Sequence, residues 1–167
     1  MATKYSLQDN TPSVLLVEAY PDIVDVTTFV LATQGYEVEH VPNVRQAHQY
    51  LNYLLDSGRA LPALTLLGDL EDQLQDVAFL ELLAAKADQR PRVILFSALP
   101  HDTLEEMAQT IRAVGIVVKP FDLDDLLRIV RATVGPGSRT NQTHVLKNRS
   151  ALRDFGFVRQ DTNELSE

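Results

Sequence analysis

Short apolar runs alternate along this chain with longer stretches in which apolar residues recur every third or fourth position. Residues 14–17 (VLLV), 64–67 (LTLL) and 93–96 (VILF) are the unbroken runs that strands buried on both faces require. "YEVEHV" alternates as a second strand, and residues 116–118 form a short fifth. Between them, Ile23, Val26 and Val30 stand at helical spacing in a helix over 21–34, which Gly35 closes. Asn43 and Gln46 have the spacing of a capping box before a helix with Val44, Ala47, Leu51 and Leu54 on one face. A third helix is expected around 77–87. Leu104, Met107, Ala108 and Ile111 mark a fourth, with Asp102 or Thr103 as N-cap. Leu123, Leu126, Leu127, Val130 and Val134 fall at i, i+3, i+4, i+7 and i+11, the stripe of a final amphipathic helix. Five strands alternating with five helices predict an α/β fold, a doubly wound five-stranded parallel sheet covered on both faces.

A parallel sheet of this kind binds its ligand beyond the carboxyl ends of its strands, near the topological switch point. The candidate residues are therefore Glu18 and Ala19 after the first strand, and Gly68 and Asp69 after the third. Ser97 follows the fourth strand and Lys119 the fifth. "GDLEDQLQD" holds four acidic residues, Asp69, Glu71, Asp72 and Asp76, and reads as a solvated loop and helix start, where acids complement the helix dipole. His40, His48, His101 and His144 are scattered without metal-ligand spacing, and the chain has no cysteine. Neither a Gly-rich phosphate loop nor a Ser/His/Asp pattern is present.

Charge narrows the partners. The formal net charge of the 167 residues is −8. Five Lys/Arg and four Asp/Glu follow Val134, leaving ten basic and nineteen acidic residues before it. So acidic a body repels phosphate backbones and anionic lipid, which argues against nucleic-acid and membrane binding. The opening "MATKYSLQDNTPS" lacks the apolar core of a signal peptide, and no run is long enough to span a bilayer, so a cytoplasmic protein is expected. Residues 1–12 read as a flexible N-terminal arm and 13–134 as one domain. Residues 135–167 read as a linker, opened by "GPGS", and a tail with a candidate short docking helix over 150–157.

The segments "VLLVEAYPDI", "FLELL", "VILFSAL" and "VVKPFDLDDLL" together resemble the receiver domain of bacterial response regulators, over about residues 13–134. The resemblance implies a flavodoxin-like (βα)5 fold and a place in two-component signalling. In that family an acidic pair after the first strand and an aspartate ending the third hold Mg²⁺. The aspartate accepts a phosphoryl group from a histidine kinase, and a hydroxyl residue and a lysine contact its oxygens. An aspartyl phosphate is strongly anionic, so a hard cation and a lysine must offset its charge. Glu18 fits the first acidic position, and Ala19 stands at the second. Ser97 fits the hydroxyl position, and Lys119-Pro120 fits the lysine-proline pair, whose peptide bond the resemblance implies to be cis. Ile116 occupies the family's switch position, normally aromatic. The family's Pro-Asp-Leu-Ile-Leu-Leu-Asp, laid without gaps on "PALTLLG" from Pro62, puts the phosphoacceptor at Gly68.

Asp69 then falls one residue late, and a one-residue slip turns a strand side chain to the opposite face. Three carboxylates against one lysine sum to a formal −2 that a divalent cation balances, whereas Glu18 against Lys119 sums to zero. The expectation is a stand-alone atypical receiver with a vestigial phosphoacceptor pocket, no resident cofactor and no catalytic residues. Such a domain acts by protein–protein interaction with a histidine kinase or a downstream effector. One alternative is a phosphorylatable receiver that uses Asp69 through a bulged strand end, with Glu18 and Asp69 as Mg²⁺ ligands. Another is a small-ligand sensor that uses the vacated pocket. A homodimer would use the face of the fourth helix, fifth strand and fifth helix, with Glu105, Asp124, Asp125, Arg128 and Arg131 exposed on it.

Overall fold

A computed structural model of the chain describes residues 11–68 and 91–138. The expected helix around 77–87 and Asp69 itself lie outside them, as do most of the N-terminal arm and of the tail. The described elements are β1 (Ser13–Val17), α1 (Pro21–Thr33), β2 (Glu37–Val41), α2 (Val44–Asp56), β3 (Leu64–Gly68), β4 (Val93–Ser97), α3 (His101–Ile111), β5 (Gly115–Val118) and α4 (Leu123–Val134). The five strands form one parallel sheet in the order β2-β1-β3-β4-β5. The chain reverses its direction of travel across the sheet between β1 and β3, so the switch point lies at the carboxyl ends of those two strands.

Period-two alternation divides the core into two layers. Leu15, Val17, Leu67, Val93 and Leu95 pack with Val44, Ala47, Tyr50 and Leu51 of α2 and with Leu104, Met107 and Ile111 of α3. On the other face, Val14, Leu16, Leu64, Leu66, Ile94 and Phe96 pack with Val24 and Leu31 of α1 and with Leu126 and Val130 of α4. β3 and β4 are buried at every position, as their unbroken apolar runs require.

The structure corrects three local expectations. In α1 the buried positions are Val24, Thr27 and Leu31, not the stripe Ile23, Val26 and Val30, and Val26 is 40% exposed. Apolar residues stand on every side of this helix, interspersed with two acids and three threonines, so spacing alone did not single out the inner face. α3 begins at His101 behind Pro100, with no side-chain cap, and Asp102 lies in its first turn rather than at its cap. The Pro100 carbonyl accepts from the Leu104 amide, so the helix starts one turn before Leu104. At α2, Asn43 caps by accepting from the Gln46 backbone amide at 2.9 Å, but the side-chain Oε1 of Gln46 is buried without a partner, so only half of the capping box forms.

The first residues of the expected linker are packed. The Ser138 amide donates to the Gly35 carbonyl at 3.0 Å, and the Tyr36 hydroxyl donates to the Gly135 carbonyl at 2.7 Å. A Cβ on Gly35 would lie 2.0 Å from the Ser138 carbonyl oxygen, and one on Gly137 would lie 2.0 Å from that of Gln34. Two glycines thus let the chain after α4 lie backbone to backbone against the turn between α1 and β2.

Candidate functional site

The carboxyl ends of β1, β3, β4 and β5 bring Glu18, Gly68, Ser97 and Lys119 to one end of the sheet. Lys119 follows β5 directly, and its amide donates to the Ser97 carbonyl at 2.8 Å, prolonging the β4–β5 ladder by one bond. The Lys119–Pro120 peptide bond is cis, in agreement with the resemblance. The Lys119 ammonium forms a salt bridge with Oε2 of Glu18 and lies 4.7 Å from the centroid of the Phe96 ring, within cation–π range. Phe96 is held in turn by an edge-on contact with Phe121, their centroids 4.7 Å apart.

Glu18 is fully buried and its polar atoms are well provided for. Oε1 accepts from the Tyr20 amide at 3.0 Å, and Oε2 from Lys119. Its own amide donates to the Val41 carbonyl at 3.1 Å. Its carbonyl accepts from Nε2 of His40 at 2.8 Å, which places the ring proton on that nitrogen. A buried carboxylate is tolerated only with such compensation.

Gly68 is the last residue of β3, one beyond the expected strand of 64–67, and stands opposite Phe96 in the regular register. A Cβ on Gly68 would lie 2.6 Å from Oε2 of Glu18, 2.9 Å from the Val17 carbonyl oxygen and 3.2 Å from that of Phe96. No side chain fits there while Glu18 and Lys119 stay paired. The carboxylate of Glu18 therefore covers the point from which a residue-68 side chain would have to start. The ladder runs without a slip through Gly68, so the described part of β3 contains no bulge.

The remaining expected residues are placed as follows. Ser97 is buried, and its hydroxyl accepts from the Leu99 amide at 3.2 Å, a local turn bond. Ala19 is exposed, as is Pro120. Ile116 is half-buried against the layer that contains α3. Magnesium is normally anchored by one or two carboxylates together with phosphate oxygens or waters. Glu18 has both oxygens engaged, and neither Ala19 nor Gly68 offers a donor, so the described residues do not fit that ion. Among them, no three His, Asp or Glu side chains are grouped to hold any metal.

His40, Tyr20 and Phe96 were not among the sequence candidates, yet each touches Glu18 or Lys119. The signal for His40 and Phe96 is the sheet register, since His40 stands opposite Leu16 and Phe96 opposite Gly68 and Val117, whereas Tyr20 meets Glu18 through its own amide two residues further on.

Neither a protein-family model nor a curated protein matches the chain. Solved structures do. The chain is similar to the signal receiver domain of a protein described as a Luxo repressor from Vibrio parahaemolyticus, with 25% identity and a TM-score of 0.59 over 74% of this chain and 90% of that one. It is similar to the receiver domain of a sensor histidine kinase from Pseudomonas aeruginosa, with 22% identity and a TM-score of 0.61 over 75% and 98%; that structure holds a magnesium ion in its active-site cleft. A CheY-like response regulator receiver domain from Methanospirillum hungatei matches at 20% identity, with a TM-score of 0.59 over 74% and 94%. The strand order, the two helical layers and these neighbours agree: the chain has the CheY-like receiver fold of response regulators.

Proposed function

We propose that the chain is an atypical receiver of two-component signalling that binds a protein partner, a histidine kinase or a downstream effector, without carrying a phosphoryl group. It has no catalytic activity of its own, keeps no resident metal and works in the cytoplasm. The observation that carries this reading is the Glu18 carboxylate, which pairs with Lys119 and lies 2.6 Å from where the Cβ of residue 68 would be. A receiver uses its lysine to meet phosphoryl oxygens. Here the ammonium is already matched by a buried carboxylate, so the pocket is electrostatically satisfied without a phosphoryl group. The unslipped β3 ladder favours this reading over a bulged strand end that would bring Asp69 inward. The small-ligand reading is the weaker one, because the two charges that a ligand would meet among the described residues, Glu18 and Lys119, are paired with each other.

The test is incubation of the full chain with acetyl phosphate, and separately with beryllofluoride, in millimolar Mg²⁺. The expected intact mass is unchanged, and the amide spectrum around Lys119 is the same with and without the reagents. A gain of one phosphoryl mass that is lost in Asp69→Asn would overturn the proposal and establish Asp69 as the acceptor.

A further inference from the structure

α1 presents an unusual outer face. Asp22, Asp25, Val26 and Phe29 lie along its solvent side, with Phe29 68% and Val26 40% exposed, and the helix contains no basic residue. A large aromatic on an exposed helix, next to a second apolar side chain and two acids, forms an apolar strip with a negative rim. The occupant that fits it is an apolar segment with positive charges.

We propose that the chain covers this strip itself, with the segment 146–159 folded back along α1. Three observations support that occupant. The first is its origin: the chain leaves the described residues at Ser138, whose amide is bonded to the carbonyl of Gly35, two residues past the end of α1. The second is reach. α1 has 13 residues and is about 20 Å long, and the eight residues from 139 to 146 can span about 26 Å when extended. The third is chemistry. Residues 139–159 carry five Lys/Arg against one acid, Asp154, and Leu152, Phe155, Phe157 and Val158 fall close together among Arg149, Arg153 and Arg159. Basic and apolar on the tail thus meets acidic and apolar on the helix. A second copy is a poorer occupant, because a two-fold contact between α1 helices would set an all-acidic rim against itself.

The experiment is limited trypsin digestion of the full chain, with cleavage after Arg149 and Arg153 followed by mass. It compares the wild type with Phe29→Asp on the helix and Phe155→Asp on the tail. Phe29 is exposed, so Phe29→Asp should keep the wild-type melting curve, and the melting curve of Phe155→Asp is recorded beside it as the control for folding. Docking predicts cleavage at both arginines roughly tenfold faster in either variant, since proteolysis samples the open population. It also predicts that wild-type protection is independent of protein concentration. Equal rates in all three proteins would overturn the proposal. So would protection that grows with concentration, which would identify a second copy as the cover.

Discussion

Lys119 and Glu18 each answer the other's charge in a place that water barely reaches, the lysine side chain being 12% exposed and the glutamate fully buried. Breaking such a pair costs more than the pair contributes, because the survivor keeps its desolvation penalty. Lys119→Met retains most of the stem and removes the ammonium, leaving the Glu18 carboxylate with the Tyr20 amide as its one remaining donor among the described residues. The expected loss is about 2–4 kcal/mol in a urea titration at neutral pH. A loss below about 0.5 kcal/mol, the scale of an exposed pair, would mean that the ammonium is not held against Glu18. Glu18, Ser97 and Lys119 were legible in the sequence because a strand-end polar residue after an apolar run is a local pattern. The crowding at Gly68 was not, because it arises from three neighbouring strands and from the reach of a glutamate on one of them. His40 was equally hidden, since its bond to the Glu18 carbonyl depends on the β1–β2 register.

β2 is an edge strand with an uncommon inward face. Glu37 and Glu39 stand opposite Ser13 and Leu15, on the side of the sheet covered by α2. Charged side chains turned inward discourage a sheet edge from pairing with another molecule. Burial pushes the Glu39 carboxyl up to about 7, with a smaller push from the Glu37 charge and an opposing pull from Arg59; burial also raises Glu37. A raised carboxyl pKa means that the folded state holds a proton which the unfolded chain releases at lower pH. This contribution to stability is therefore fully present below about 4.5 and fades as pH rises to about 7. Glu39→Gln keeps the size and removes the titration. The difference in stability between variant and wild type should widen in favour of the variant by about 1–3 kcal/mol between pH 5 and 7.5, read from denaturation curves across that range. A constant difference would show that Glu39 titrates normally. The elements themselves were well marked wherever one face was polar, as in α2 and α4. α1 misled because its apolar residues stand on every side of the helix, which leaves no clear phase to read. The start of α3 was misplaced because Pro100 opens it without the polar cap that usually announces a helix.

At the scale of the molecule, the proposed homodimer face runs over α3, β5 and α4. Val114, Val118 and Leu123 are exposed on or beside these elements, and so are Glu105, Asp124, Asp125, Arg128 and Arg131. Three of these charges are already paired within their own helices, Glu105 with His101 at 3.1 Å and Asp125 with Arg128 at 2.8 Å, so the apolar residues must supply most of the attraction. Sedimentation velocity should show a monomer–dimer equilibrium that shifts to monomer in Val118→Glu. A wild type that stays monomeric at high micromolar concentration would remove the dimer. The sheet order and the two core layers follow from the five apolar runs and their helices, and were readable on that basis. How the ends of the domain are tied was not, because backbone-to-backbone packing leaves no hydrophobic pattern. Those ties have a practical side. The Pro12 carbonyl is bonded to the Glu37 amide where the sheet begins, and Ser138 is bonded to Gly35 beside it. Entry and exit of the chain thus share one pole of the domain, and Glu18 and Lys119 occupy the other. A domain anchored to a bead, a sensor chip or a fused reporter at Pro12 or at Ser138 would stand like a bulb in its socket, with the Glu18–Lys119 pole facing whatever flows past.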